Sequence, residues 1–314
     1  MDTLLRGTRG SYSRHALIAR TGMAEVWLAS GGGRAGPLEV KQLLPALAEE
    51  EDFLEMFLDE AQLTARFDFP GVSPALDWGR GFLVTEHVPG VRLEALKDRA
   101  PLPIPIVCAL FAQWAATLAR VHALQADGRP ANVIHRDLCP ETLFLAFDGT
   151  TRITDFTLSN HGLRSSESRP GIIKGRFAYM SPEAVRGLSL DARSDVFSLA
   201  VSLWECLAGQ RLFLGQSDFA SLEKVRKAEV PPLPMRVPTE LQQVVRTALE
   251  REKEDRPGAD AFSAALATFA AGVSTSMLSA LWHQQLAAEV AEQEARAGKV
   301  PVAGLDALIR GISK

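Results

Sequence analysis

The feature that most constrains this chain is a change of apolar period part-way along it. Up to about residue 90 the apolar residues fall in short runs, Glu25–Ala29, Leu38–Leu43 and Phe82–Val88. Gly31-Gly32-Gly33 with Gly36-Pro37 is a turn signal between the first two runs, predicting a hairpin, and Pro89-Gly90 breaks the third. From Ile106 onward the spacing becomes helical, in Ile106–Leu124 and Val196–Ala208. A period of two suits a sheet and one of 3.6 a helix, so the chain reads as a small strand-rich lobe followed by a larger helical lobe. Its 314 residues, 46% of them apolar, suffice to bury the core this needs.

One helix interrupts the strand-rich part. Phe53, Met56, Phe57, Glu60, Thr64 and Phe67 fall at i, i+3, i+4, i+7, i+11 and i+14, a single stripe over Phe53–Phe67. Glu60 therefore lies in the apolar face. A carboxylate buried there needs a cation or donors, whereas at the stripe's edge it would simply be solvated. Glu49, Glu50, Glu51 and Asp52 precede the stripe as a solvated N-terminus that the helix dipole favours.

Further on, Leu143–Phe147 and Thr150–Thr154 flank Asp148-Gly149, a strong two-residue hairpin signal. With those two residues as the turn, 147 faces 150, and counting back sets Thr142 opposite Asp155. Opposed residues have Cβ atoms only about 4.5–5.5 Å apart. Asp137 lies just upstream, after His135 and Arg136. Two acids and a hydroxyl converging at a hairpin mouth make a candidate cation site.

Composition excludes other roles. Lys and Arg number 34 against 38 Asp and Glu, a net charge of −4, which offers no basic excess for gripping nucleic acid. Cys108, Cys139 and Cys206 are too scattered for a paired metal motif and suit a reducing cytoplasm, where the usual cysteine is a small core residue. Residues 1–20 lack the apolar stretch of a signal peptide. Pro101–Ala119 and Ala261–Ala288 lack Asp, Glu, Lys and Arg. The prolines of the first and the Gly272, Ser, Thr and Gln content of the second argue against a membrane segment.

These residues carry a recognisable pattern. Val133-Ile134-His135-Arg136-Asp137-Leu138-Cys139-Pro140-Glu141-Thr142 resembles a protein-kinase catalytic loop, and Asp155-Phe156-Thr157 stands where that family has D-F-G. Ser181-Pro182-Glu183 stands at A-P-E, Leu38-Glu39-Val40-Lys41 at V-A-I-K, and Ala19 to Val26 at the Gly-rich loop. Arg193 to Leu199 and Asp255-Arg256-Pro257 match later landmarks. In this order, over roughly Tyr12 to Phe269, the set is similar to the eukaryotic-like serine/threonine kinases of bacteria.

The resemblance implies an α+β bilobal protein-kinase fold, with a strand-rich N-lobe carrying one helix (12–88) and a mainly helical C-lobe (89–270). A lead (1–11) and a C-terminal extension (271–314) flank them. It implies ATP with Mg2+, or Mn2+, as cofactor, and a protein substrate or partner. Lys41 would hold the α- and β-phosphates and pair with Glu60. Ala19, Thr21, Gly22 and Val26 would cover the nucleotide, with Thr85 as gatekeeper and Glu86 to Val88 as the adenine-side hinge. Asp137 would accept the substrate proton, Asp155 would bind the metal, and Thr142 occupies the second metal-ligand position. Glu183 would pair with Arg256, and Asp195 would tether the catalytic loop, or else act as a plain helix cap after Ser194. Arg136 would meet a phosphorylated activation segment at Ser165, Ser166 or Ser168, serines that equally suit an ordinary polar loop.

Departures from the family pattern bear on function. Thr142 replaces the Asn that would hold the second metal, and a neutral, shorter hydroxyl binds it more weakly. The phosphate-loop glycines read Ala19, Thr21 and Ala24, each Cβ costing about 1 kcal/mol if φ > 0 is required there. Thr157 is β-branched where D-F-G has glycine. Cys139 replaces the usual Lys of the catalytic loop, while Arg176 replaces a Thr of the activation segment, so a cation has moved and is expected to reach Asp137. Cys139 as a reactive thiol competes with an inert small residue.

The sequence therefore reads as a pseudokinase with weak or absent phosphotransfer, ATP binding still open to it, acting in signalling through protein partners. The alternative is an active ATP-dependent serine/threonine kinase with an atypical metal site. Leu278, Leu281, Trp282, Leu286 and Val290 predict one helix ending near Gly298, packed on the large lobe or offered to a partner.

Overall fold

The computed structural model describes residues 4–97, 99, 101–126, 128–156, 176–298 and 300. Thr157, Ser165, Ser166 and Ser168 lie outside them. The described chain divides into two compact units.

The first unit holds a six-stranded antiparallel sheet. Its strands are β1 (Leu5–Arg6), β2 (Ser11–Arg20), β3 (Ala24–Gly31), β4 (Leu38–Leu43), β5 (Asp77–Gly79) and β6 (Phe82–Glu86), in the order β1-β2-β3-β4-β6-β5. The glycine turn closes β3 on β4 as the sequence requires, pairing Val26 with Lys41, and Lys41 with Leu83 on β6. The segment taken as a lead contributes β1, which pairs with β2. Asp77, fully buried, accepts from the Thr8 and Arg9 amides, the Thr8 hydroxyl and the Tyr12 hydroxyl, so one carboxylate clasps the first strands to β5.

Helix α1 spans Glu51–Thr64. Glu51 and Asp52 form its first turn instead of preceding it, and Phe67 lies beyond its end yet stays buried. Leu54, Phe57 and Ala61 pack with Leu43, Leu47 and Leu83 in one cluster. At 25 cal/mol per Å² of apolar surface, such burial is what holds the helix on the sheet.

The second unit is mainly helical. A three-stranded sheet joins β7 (Gly90–Arg92), β10 (Leu143–Ala146) and β11 (Thr151–Ile153), and a short pair joins β8 (Gln125–Ala126) to β9 (Arg129–Pro130). Around the sheet stand α2 (Ile104–His122), α3 (Pro182–Val185), α4 (Ala192–Ala208), α5 (Asp218–Lys227), α6 (Thr239–Ala248), α7 (Ala259–Ala267) and α8 (Thr275–Gln285). By length and composition α2 could cross a membrane, but it packs on α4 and α7 and buries Phe111, Trp114 and Leu118. Asp191 caps α4, so Asp195 in the first turn is not the cap.

The hairpin register differs from expectation by one residue. Leu143 pairs with Ile153 and Leu145 with Thr151, so Thr142 lies opposite Thr154 and not Asp155. The turn holds three residues, 147–149, closed by Gly149 N–H donating to Ala146 O at 3.0 Å, with Gly149 at φ 86°. A type I turn followed by a left-handed glycine is the three-residue alternative to the two-residue turn, and Asp148-Gly149 fits both. The Asp148 carboxylate secures it by accepting from the Thr150 amide and hydroxyl.

The expected C-terminal helix is two helices. Leu286, at φ −119° and ψ 28°, breaks the chain between α8 and α9 (Ala287–Ala297). Leu278, Trp282, Leu286 and Val290 are buried as their spacing predicts. The start of α8 seats on the hairpin turn, where Ser279 Oγ donates to Phe147 O at 2.7 Å. Helix α9 and Gly90 both belong to the first unit, where the Gln293 amide clasps both backbone groups of Gly90 at 2.8 and 2.7 Å.

Candidate functional site

In the first unit, Lys41 Nζ donates to both Glu60 oxygens, at 3.0 and 2.9 Å. The pair is nearly buried, and the Phe57 ring lies 5.2 Å from the ammonium. Glu60 is thus in the core with its cation, not at a wet edge. The helix stripe and the strand pairing converge on this contact because α1 presents Glu60 to the face of β4 that carries Lys41.

The phosphate-loop residues form a tight turn between β2 and β3, with Ala19 opposite Val26. Thr21 N–H donates to Ala24 O at 2.8 Å, and Thr21 Oγ1 accepts from the Ala24 and Met23 amides at 2.9 and 3.3 Å. No residue from 19 to 24 has positive φ, so the cost expected from the lost glycines does not arise. The change acts through hydrogen bonding: a glycine loop aims its amides at phosphate, whereas Thr21 engages two of them internally. Thr85 and Glu86 close β6 opposite Glu39 and Leu38, and Val88 follows beyond the strand.

In the second unit, Asp195 organises the catalytic loop. Its carboxylate accepts from the His135 amide at 2.8 Å and the Arg136 amide at 3.0 Å, and pairs with His122 Nε2 at 2.8 Å. Burial opposes its ionisation, yet His122 and these donors hold its carboxyl below the usual range. Arg136 adopts φ 69°, and its Nε is buried with no partner among the described residues. Phe156 is buried edge-on against His135, ring centroids 4.6 Å apart.

Asp137 meets the relocated cation. Arg176 Nη1 donates to Asp137 Oδ2, and its Nε and Nη2 reach Glu141 Oε2 at 2.9 and 2.7 Å. Burial pushes the Asp137 carboxyl above its ordinary value, with Arg176 opposing the rise, a direction that suits a proton acceptor. The neighbouring Cys139 thiol is buried and pushed up to about 12, so it is an inert packing residue.

Thr142 lies against the backbone of its own loop. It is fully buried, its hydroxyl accepting from Cys139 N at 3.1 Å and facing the carbonyls of Asp137 and Cys139 at 3.2 and 3.1 Å. The hydroxyl is thus engaged by the backbone of its own loop. Asp155, at φ 65°, is held by two donors on Oδ2: Arg92 Nη1 at 3.0 Å and Thr154 Oγ1 at 3.1 Å. Among the described residues, no group of three His, Cys, Asp or Glu gathers as a metal site.

Sequence reasoning missed Arg92, Glu141 and Thr154. Pro89-Gly90 signalled only that a strand ends, and nothing in the local pattern says that the next cation turns toward Asp155. The A-P-E glutamate, by contrast, behaves as implied. Glu183 receives Arg256 through two 2.8 Å bonds and Ser194 Oγ at 2.6 Å, all buried.

The catalytic loop, its aspartate tether, the Lys41–Glu60 pair and the Glu183–Arg256 pair define a class. A family model described as protein tyrosine and serine/threonine kinase matches residues 22–266, and the chain belongs to that protein-kinase family. It is 35% identical over 278 residues to the tyrosine-protein kinase MasK of Myxococcus xanthus, covering 83% of this chain and 43% of MasK. It is 29% identical to the serine/threonine-protein kinase PknA and 32% to PknL, both of Mycobacterium tuberculosis, covering 81% and 78% of this chain. The chain spans only 61% of PknA and 62% of PknL. The crystal structure of the Mycobacterium tuberculosis PknI kinase domain shares the fold, with a TM-score of 0.64 at 23% identity, covering 85% of this chain and 97% of that one.

Proposed function

We propose that this chain is a pseudokinase: a protein-kinase domain with weak or absent phosphotransfer that binds ATP and acts in signalling through protein partners. The reading is carried by the Thr142 hydroxyl, which is engaged by the catalytic-loop backbone at zero exposure. Protein kinases depend on divalent ions to bridge and neutralise the phosphates, and little else supplies that part of the barrier. Here the second ligand is turned away, and the oxygen of the first already accepts two hydrogen bonds. These residues do not fit a divalent ion well.

Nucleotide binding has better support. The Lys41 ammonium, oriented by Glu60, suits a phosphate oxygen, although Thr21 leaves fewer loop amides for the same task. The second reading, an active serine/threonine kinase with an atypical metal site, is favoured by the Arg176–Asp137 contact, which returns a cation beside the proton acceptor.

Thermal shift with ATP in magnesium, manganese and EDTA tests the choice alongside phosphate incorporation into a generic protein substrate. A nucleotide shift without incorporation supports the pseudokinase. A metal-dependent shift with incorporated phosphate supports the kinase.

A further inference from the structure

We propose that Arg92 is the resident cation of Asp155, occupying the place of a divalent ion, so that metal reaches this carboxylate only by displacing the guanidinium. The inference rests on the reading above of an impaired kinase domain. It deepens that reading by naming the side chain that excludes the metal.

The geometry is built in. Arg92 ends β7, which lies beside β10 in the sheet, and its neighbours Val91 and Leu93 are buried. Glu94 N–H donating to Pro140 O at 3.1 Å pins the following turn to the catalytic loop. The backbone on both flanks of Arg92 is therefore anchored. Its Nη1 then meets three acceptors, Glu141 O, Thr154 Oγ1 at 3.5 Å and Asp155 Oδ2 at 3.0 Å.

The contested atom is Asp155 Oδ2. A carboxylate oxygen has two lone-pair directions in its plane, and here Arg92 and Thr154 Oγ1 both approach this one. A magnesium ion would sit about 2.1 Å from such an oxygen and demand near-octahedral space around itself. A guanidinium 3.0 Å from the same atom adds like charge as well as bulk. Asp155 itself adopts φ 65°, in the left-handed region that aspartate visits more readily than most residues.

The test is Mn2+ binding to the full chain by electron paramagnetic resonance, alone and with the non-hydrolysable analogue AMP-PNP. Wild type is expected to bind no more Mn2+ than Asp155→Asn. Arg92→Gln is expected to gain a site tighter by roughly tenfold or more, the scale on which groups around a metal site alter affinity, and to lose it when Asp155→Asn is added. Arg92→Lys keeps the positive charge and is expected to stay weak; it also serves as the folded comparison should the glutamine variant lose structure. Tight, Asp155-dependent Mn2+ binding by wild type, or no gain in a folded Arg92→Gln, overturns the proposal. Rapid substrate labelling by wild type would instead end the pseudokinase reading, so the two failures are told apart.

Discussion

Arg176 and Asp137, 39 residues apart in sequence, are joined side chain to side chain. Removing the guanidinium leaves a mostly buried carboxylate without its main opposing charge, a loss of about 3 kcal/mol for a broken buried pair. Burial already raises Asp137 above its ordinary value, so its contribution to stability is present at low pH and fades as pH rises through the folded value. Arg176→Met should raise Asp137 further. Its deficit against wild type in chemical denaturation should therefore be larger near pH 8 than near pH 5.

Asp77 predicts the opposite pH behaviour. Burial would raise its carboxyl, but hydrogen bonds from Thr8, Arg9, Tyr12 and Trp78 outweigh this and lower it to about 2. A depressed carboxylate stabilises the fold above its unfolded value and loses that contribution as pH falls toward the folded one. Asp77→Asn should cost about 2 kcal/mol at neutral pH, and the difference from wild type should shrink as pH falls from about 4 to 2, read by urea melts.

Arg256 places a planar fork on Glu183, lies 4.7 Å from the Phe197 ring, and donates to the Glu250 and Arg251 carbonyls. Arg256→Ala should cost about 3–5 kcal/mol, because it strands a buried carboxylate. Arg256→Lys should recover little of this, since an ammonium cannot make the bidentate contact. Differential scanning calorimetry measures both.

Gly149 couples the hairpin turn to α8. Its φ of 86° disfavours any Cβ, and a Cβ there would collide with the Thr275 backbone. Gly149→Ala should destabilise by about 2 kcal/mol or more, with hydrogen exchange accelerated in Thr275–Gln285 before the rest of the helical unit.

What the sequence revealed and what it hid have physical causes. The stripe alone leaves Glu60 either paired or solvated at its edge, and the family resemblance points to Lys41, which the structure places on it. Arg176 is legible only through the family resemblance, which sets Cys139 at a usual Lys and Arg176 at a usual Thr. The hairpin register was not legible, since Asp148-Gly149 closes two-residue and three-residue turns equally well, and one residue of slip moves Asp155 away from Thr142. The break at Leu286 was hidden because that leucine continues the apolar stripe while its backbone leaves the helical region. Arg92 was hidden for another reason: its partner lies 63 residues away and no local pattern encodes the meeting.

The most direct measurement is a single-turnover assay with purified chain in excess over radiolabelled ATP and manganese, corrected by Asp137→Asn. The account predicts labelling of a generic protein substrate no faster than in that variant. Fast, near-stoichiometric transfer by the unaltered chain would contradict it.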